Sequence, residues 1–256
     1  MKLINRPWEK ISLFVLYILL VSLGVVFWFK VRPALSPTVP PDDSAGNTSK
    51  KETIKPAKSF IKDKYSKVDS SSLWVIVNKQ HPLNPTNYVP DDLVTTVGAT
   101  ISNKAMLDFN AMNTAALADG VNFTINSSYR SYSNQNSTYN TYIATRGQAS
   151  TYTFSARPGF SEHQTGLAID LGSSVKPSCD LDGCFGDTVE GKWLAEHANE
   201  YGFLLRYAAD KQQITGYMAE PWHFRYVGRD LTAEMKKEAV TTLEEFFKVS
   251  GGEKFI

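Results

Sequence analysis

Four histidines occur in the chain, His81, His163, His197 and His223, and two of them keep unusual company. In residues 161–170 (SEHQTGLAID) His163 lies seven positions before Asp170, and in residues 220–223 (EPWH) a carboxylate stands three positions before His223. Two imidazoles and one carboxylate form a donor set suited to catalytic zinc, which takes three protein ligands and leaves a fourth position for water. A further carboxylate is then needed to take up the proton of that water. Glu220 meets the need, because it is close to His223 but turned differently by Pro221. Taken singly these residues are ordinary: a lone histidine on a strand is more often structural, and a glutamate before proline is more often a turn residue. His197, inside WLAEHANEYG, and His81, before Pro82, read as structural and not as ligands.

The elements that must position these residues follow from patterning. Residues 166–171 (GLAIDL) read as a short strand with Asp170 at its end, and His163 falls in a turn-like stretch opened by Pro158-Gly159. Residues 222–227 alternate as an aromatic strand carrying His223. Upstream, residues 73–77 (LWVIV) read as a buried strand. Ala105, Met106, Phe109, Met112 and Ala116 recur at near-helical spacing over residues 103–119, and Gly120 ends that helix. Val121, Phe123 and Ile125 alternate with polar residues as a strand does. The polar, tyrosine-rich residues 133–145 predict a surface helix, residues 190–201 an amphipathic helix, residues 203–206 a strand and residues 231–247 a closing helix. Helices and short strands without a regular βαβ alternation predict an α+β fold, and residues 61–256 fit a single domain.

Residues 1–32 lie outside that domain. Residues 11–29 are a run of 19 residues without a charge, reaching roughly 28 Å as a helix, close to the thickness of a bilayer core. The run ends in bulky Phe27, Trp28 and Phe29, whereas a cleaved leader ends in small residues. It reads as an uncleaved single-pass membrane anchor. Residues 33–60, rich in proline, serine and lysine, read as an extended tether. This arrangement predicts a cell-membrane protein with its domain on the extracytoplasmic side. Net charge is +1, from 27 basic and 26 acidic residues, so no overall basic field marks a nucleic-acid partner. Cys179 and Cys184 are the only cysteines, too few for a zinc ribbon. In an exported domain two cysteines five apart most simply close a small loop, with two free thiols as the alternative.

The segments around the histidines resemble the VanY-type zinc D-alanyl-D-alanine carboxypeptidases, part of a wider group with the dipeptidase VanX, LytM and the hedgehog signalling domain. The resemblance extends from about Leu73 to Gly228. It rests on SxHxxGxAxD at residues 161–170, ExxH at residues 220–223, YRSYxxQ at residues 129–135, and the run ITGYMAEPWHFRYVG. It implies one Zn2+ held by His163, Asp170 and His223, with Glu220 as the general base. Arg130 matches the arginine that lines the substrate pocket, where a guanidinium can fork onto a carboxylate or steady a developing oxyanion. Ser161 and Gln135 are implied as pocket hydrogen-bonders. The chain departs from the pattern at Ser128, where family members often carry glycine before the Tyr-Arg pair.

The activity implied is removal of the C-terminal D-alanine from peptidoglycan stem peptides ending in D-Ala-D-Ala. Two alternatives stay open: an L,D-carboxypeptidase acting on tetrapeptide stems, and a zinc-bearing binding module without catalysis. Glu220 and Arg130 speak against the second, since a pure binding module needs no base beside the metal. A serine peptidase is a poor match. Residues 59–62 and 173–176 fit SxxK, but no KTG follows, and HExxH is absent.

Overall fold

The computed structural model describes residues 59–256. The anchor expected at residues 11–29 and nearly all of the tether lie outside the described residues. Among the described residues no helix is long and apolar enough to cross a membrane.

A hairpin of β1 (Leu93–Thr96) and β2 (Ala99–Ser102) leads directly into α1 (Asn103–Ala118). Ser102 caps that helix, its hydroxyl accepting from the Lys104 N–H. Then come β3 (Phe123–Ser127), α2 (Tyr132–Arg146), α3 (Gln148–Phe154) and β4 (Ala168–Ser173). The chain continues through α4 (Val189–His197), β5 (Phe203–Tyr207), α5 (Gln212–Thr215) and β6 (Glu220–Tyr226), and ends with α6 (Arg229–Lys237) and α7 (Leu243–Phe247). Four strands form one antiparallel sheet in the order β3-β4-β6-β5. The α+β expectation holds.

Alternation along the strands sorts the two faces of the sheet. Phe123, Ile169, Leu171, Phe203 and Phe224 pack with Phe109 and Met112 of α1 in the main core cluster. The residues between them on β4 and β6 point the other way, and these are Asp170, His223 and Arg225. The hydrophobic face thus fixes the register, and the register brings the polar residues together.

Several elements differ from the sequence reading. Residues 73–77 are buried, as their apolar character demands, but form turns and extended coil rather than a strand. Side chains satisfy much of their backbone. One Arg225 amine donates to the Leu73 and Val75 carbonyls at 3.2 and 2.9 Å, and the Trp74 indole donates to Val227 O at 2.9 Å. Asp170 lies inside β4, its third residue, not at a strand end. The single closing helix is two, α6 and α7. Ala239, at φ 55°, ends the first, and Thr242 caps the second by accepting from the Glu245 N–H at 3.1 Å. The helix expected to run to Tyr201 stops at His197 and tightens into a 3-10 turn over Ala198–Tyr201. The β1–β2 hairpin and α3 had no counterpart in the sequence reading. Cys179 and Cys184 are joined by a disulfide, which settles the open choice between loop and free thiols.

Candidate metal centre

Cross-strand pairing sets the centre. Asp170 on β4 stands opposite His223 on β6, and Ser127 on β3 stands opposite Asp170 on its other side. His163 arrives from the 3-10 turn Glu162–Thr165 just before β4. The chain re-enters the sheet through Gly166 at φ +69°, where an added Cβ would lie 2.8 Å from the Leu93 side chain and 2.9 Å from the Ser102 nitrogen. Only glycine combines that left-handed backbone with so close an approach.

His163, Asp170 and His223 are buried, and one donor atom from each lies within 4.8 Å of the others. His163 Nε2 is 3.1 Å from Asp170 Oδ2, and His223 Nδ1 is 2.9 Å from Asp170 Oδ1. The remaining ring nitrogens are engaged behind them. His163 Nδ1–H donates to the Ser128 carbonyl at 2.8 Å, and His223 Nε2–H donates to Glu162 Oε2 at 3.2 Å. Each outer bond fixes a tautomer that turns the inner nitrogen's lone pair toward the cluster, as metal-bound imidazoles require. Two imidazoles and a carboxylate held in this way are a donor set that would suit a zinc ion, which takes three protein ligands and keeps a further position for water.

The electrostatics favour an ionised Asp170 and a neutral His163. Burial would raise the Asp170 carboxyl, but the two imidazoles outweigh it and hold it well below the usual carboxylate range. Burial lowers the His163 imidazole, favouring the neutral form that can bind a metal. Burial acts in the same sense on His223, yet its bonds to Asp170 and Glu162 prevail and raise it to about 10, so both ring nitrogens carry protons until a metal displaces the one on Nδ1. Glu220 begins β6, where Tyr207 pairs with it across an irregularity in the β5–β6 ladder. Pro221, which has no N–H, sits in that interruption. The Glu220 carboxyl is 3.9 Å from His223 Nδ1, and burial pushes it up to about 8. A cation at the centre would draw it back toward the ionised form a base needs.

Arg130 faces the centre from the loop after β3, with one amine 3.9 Å from Asp170 Oδ2. Its guanidinium donates to the Gln135 side-chain oxygen at 3.0 Å and to the Ser127 hydroxyl at 2.5 Å. Gln135 is buried and donates in turn to the Ala156 carbonyl at 2.7 Å, so it holds Arg130 in place as well as lining the cavity. Ser161 is also buried and lines the cavity, and among the described residues its hydroxyl makes no hydrogen bond. The Ser128 departure is accommodated. Its backbone is not left-handed, and its hydroxyl turns away to accept from the Thr100 N–H at 3.1 Å. All seven residues singled out from the sequence line one cavity of about 500 Å³. His81 and His197 lie apart from it. His81 bonds Ser250, and His197 stacks on Trp193 near Glu200.

Sequence reasoning missed the support beneath His223. Glu162, fully buried, accepts from Arg206 at 2.8 Å and Arg225 at 2.9 Å through one oxygen while the other receives His223. Burial would raise this carboxyl, but the two guanidinium groups hold it far below its ordinary value. Arg206 also forks onto Glu244 of α7 at 2.9 and 2.7 Å, tying the metal centre to the end of the fold. The available signal was an arginine inside each of two otherwise apolar strands, FLLRY and EPWHFRY. Tyr217 was missed too; it lines the cavity with its buried hydroxyl lacking any partner among the described residues.

The family model described as VanY: D-alanyl-D-alanine carboxypeptidase matches residues 98–229. YodJ of Bacillus subtilis (strain 168), a putative carboxypeptidase by its description, is 37% identical over 187 residues, covering 69% of this chain and 67% of that protein. The solved LdcB LD-carboxypeptidase, from a study of peptidoglycan recognition, superposes with a TM-score of 0.65 at 36% identity, covering 71% of this chain and 89% of its own. The vancomycin-resistance D,D-pentapeptidase VanY of a VanB-type resistance cassette, solved as a point mutant with Zn(II), superposes with a TM-score of 0.59 at 31% identity, covering 70% and 99%.

Proposed function

The chain belongs to the VanY family of D-alanyl-D-alanine carboxypeptidases, and from that premise we propose that it removes the C-terminal D-alanine of peptidoglycan stem peptides ending in D-Ala-D-Ala. It is a peptide hydrolase whose cofactor is zinc. The observation that carries the reading is one buried cluster of His163, Asp170 and His223 with the Glu220 carboxyl beside it and Arg130 across from it.

When bound by His163 Nε2, the Asp170 carboxylate and His223 Nδ1, zinc supplies Lewis acidity that polarises the scissile carbonyl and lowers the pKa of water. The chain's own groups do the rest. Glu220 accepts a proton from the attacking water, whose oxygen adds to the carbonyl carbon. It returns that proton to the nitrogen of the departing D-alanine as the C–N bond breaks. Arg130, held by Gln135 and Ser127, offers its cation to the negative charge that develops on the carbonyl oxygen or to the substrate's terminal carboxylate. Ser161 and Tyr217 offer hydroxyls to the same peptide.

A second reading, cleavage of tetrapeptide stems, is supported by the similarity to LdcB. Incubating the protein with pentapeptide and with tetrapeptide, and weighing products by mass spectrometry, separates the two. Release of D-alanine from pentapeptide is the expected result. Release from tetrapeptide alone would replace the main reading with the second, and release from neither with zinc bound would point to a binding module.

Residues 11–29 support the further proposal that the enzyme is anchored in the cell membrane with its domain outside the cytoplasm. Protease added to intact spheroplasts is expected to digest the domain and spare an N-terminal stub. Full protection of the chain would refute that topology.

A further inference from the structure

The cavity continues past the metal centre along α2. Gln135, Tyr139, Tyr142 and Arg146 follow one another at spacings of four, three and four residues and so share one face of that helix. Gln135, Tyr142 and Arg146 all line the cavity. Gln135 bonds Arg130 beside the metal cluster, and the Arg146 guanidinium, which leans back over the Tyr142 ring, stands about 10 Å further along the helix axis. The Arg146 guanidinium stacks against the Tyr142 ring at 5.2 Å and the Phe154 ring at 5.1 Å, and those rings meet edge to face at 5.0 Å.

Arg146 is exposed, and that setting leaves its charge to solvent rather than to a protein carboxylate. Among the described residues Arg146 has no ion-pair partner and no hydrogen bond. Asp180 and Asp182 also line the cavity, but they accept from the Ser173 and Cys184 backbone and do not pair with it. A cation in the last turn of a helix is favoured by the helix dipole. The dipole alone does not call for an aromatic clamp at the mouth of a catalytic cavity. Ring stacking restrains the guanidinium while its N–H edges stay free to fork onto an oxyanion.

We propose that Arg146 forms a second anion subsite, which binds a carboxylate of the substrate peptide on the N-terminal side of the scissile bond. The proposal rests on the carboxypeptidase reading above. The terminal carboxylate of a peptide whose scissile carbonyl lies at the metal centre cannot reach Arg146. An extended chain advances about 3.3–3.6 Å per residue, so about 10 Å corresponds to about three residues. A group meeting Arg146 therefore belongs to the body of the stem peptide. Two carboxylates there share the required chemistry: the α-carboxylate of a γ-linked glutamate, and the side-chain carboxylate of a diamino acid such as diaminopimelate. Amidation of the one that binds removes its charge.

The test uses the full chain and three synthetic pentapeptides: one with both carboxylates free, one with only the glutamate α-carboxylate amidated, and one with only the diaminopimelate carboxylate amidated. D-alanine release and equilibrium binding are measured for each. One of the two amidations is expected to lower kcat/KM and affinity by about tenfold, identifying the source of the anion. Arg146→Gln should treat free and amidated peptides alike, at the wild-type level for the amidated one, and Arg146→Lys should restore part of the preference. Equal handling of all three peptides by the wild type would overturn the subsite, as would an Arg146→Gln variant that keeps the preference. If no peptide releases D-alanine, the functional reading fails, and the binding measurements still decide the subsite.

Discussion

Glu220→Gln is expected to leave the metal site loaded and the enzyme nearly inert. General acid–base assistance of this kind contributes about 10²–10⁴-fold in rate, and kcat for D-alanine release should fall within that range. The substitution preserves shape and removes the group placed to carry the proton. Glu220 is buried, and among the described residues its carboxyl makes no hydrogen bond and one ion pair, to His223 at a long 3.9 Å, so it makes no close bond on which the cluster depends. Zinc per chain, measured by atomic emission on purified protein, should therefore stay near one. His163→Ala should behave oppositely and lose both the metal and the activity, because His163 is one of three converging donors. A Glu220→Gln enzyme with near-normal kcat would move the base elsewhere. Full zinc retention after His163→Ala would remove that residue from the ligand set.

The metal centre was legible because its ligands lie in two short segments whose spacing is itself chemical. Strand periodicity placed Asp170 and His223 on strands, and the antiparallel register then made them neighbours. What escaped was support that operates across long sequence distances. Glu162 is adjacent to His163 in the chain, yet its partners Arg206 and Arg225 lie 44 and 63 residues away. Arginine in a strand is ordinarily a surface residue, so its burial here was not predictable from residue type. The same guanidinium explains the failed strand at residues 73–77: an apolar run reports burial, and Arg225 supplies hydrogen bonds that a neighbouring strand would otherwise give. The break between α6 and α7 had a local signal that apolar spacing hid, the Thr242 cap followed three residues later by Glu245.

Glu162→Ala is expected to damage both stability and metal binding, and the two effects have separate causes. Truncation leaves Arg206 and Arg225 buried with one shared carboxylate removed. Arg206 keeps Glu244, whereas Arg225 keeps only backbone carbonyls for its charge. Breaking a buried pair from one side typically costs about 3–5 kcal/mol, and in a domain of this size that lowers Tm by roughly 10 °C. Metal binding weakens for a different reason. His223 loses the acceptor that fixes its Nε2–H and aims Nδ1 at the centre. Outer partners of metal-bound histidines are typically worth about 10–100-fold in affinity. Glu162→Gln separates the causes, since an amide oxygen still accepts from His223 while the compensating charge is gone. It should melt low, as the alanine variant does, yet bind zinc more tightly than that variant. Thermal melts and competition with a chelator on both proteins measure the two quantities independently. If both variants bound zinc with wild-type affinity, His223 would be held by Asp170 and packing alone, and Glu162 would serve only the fold.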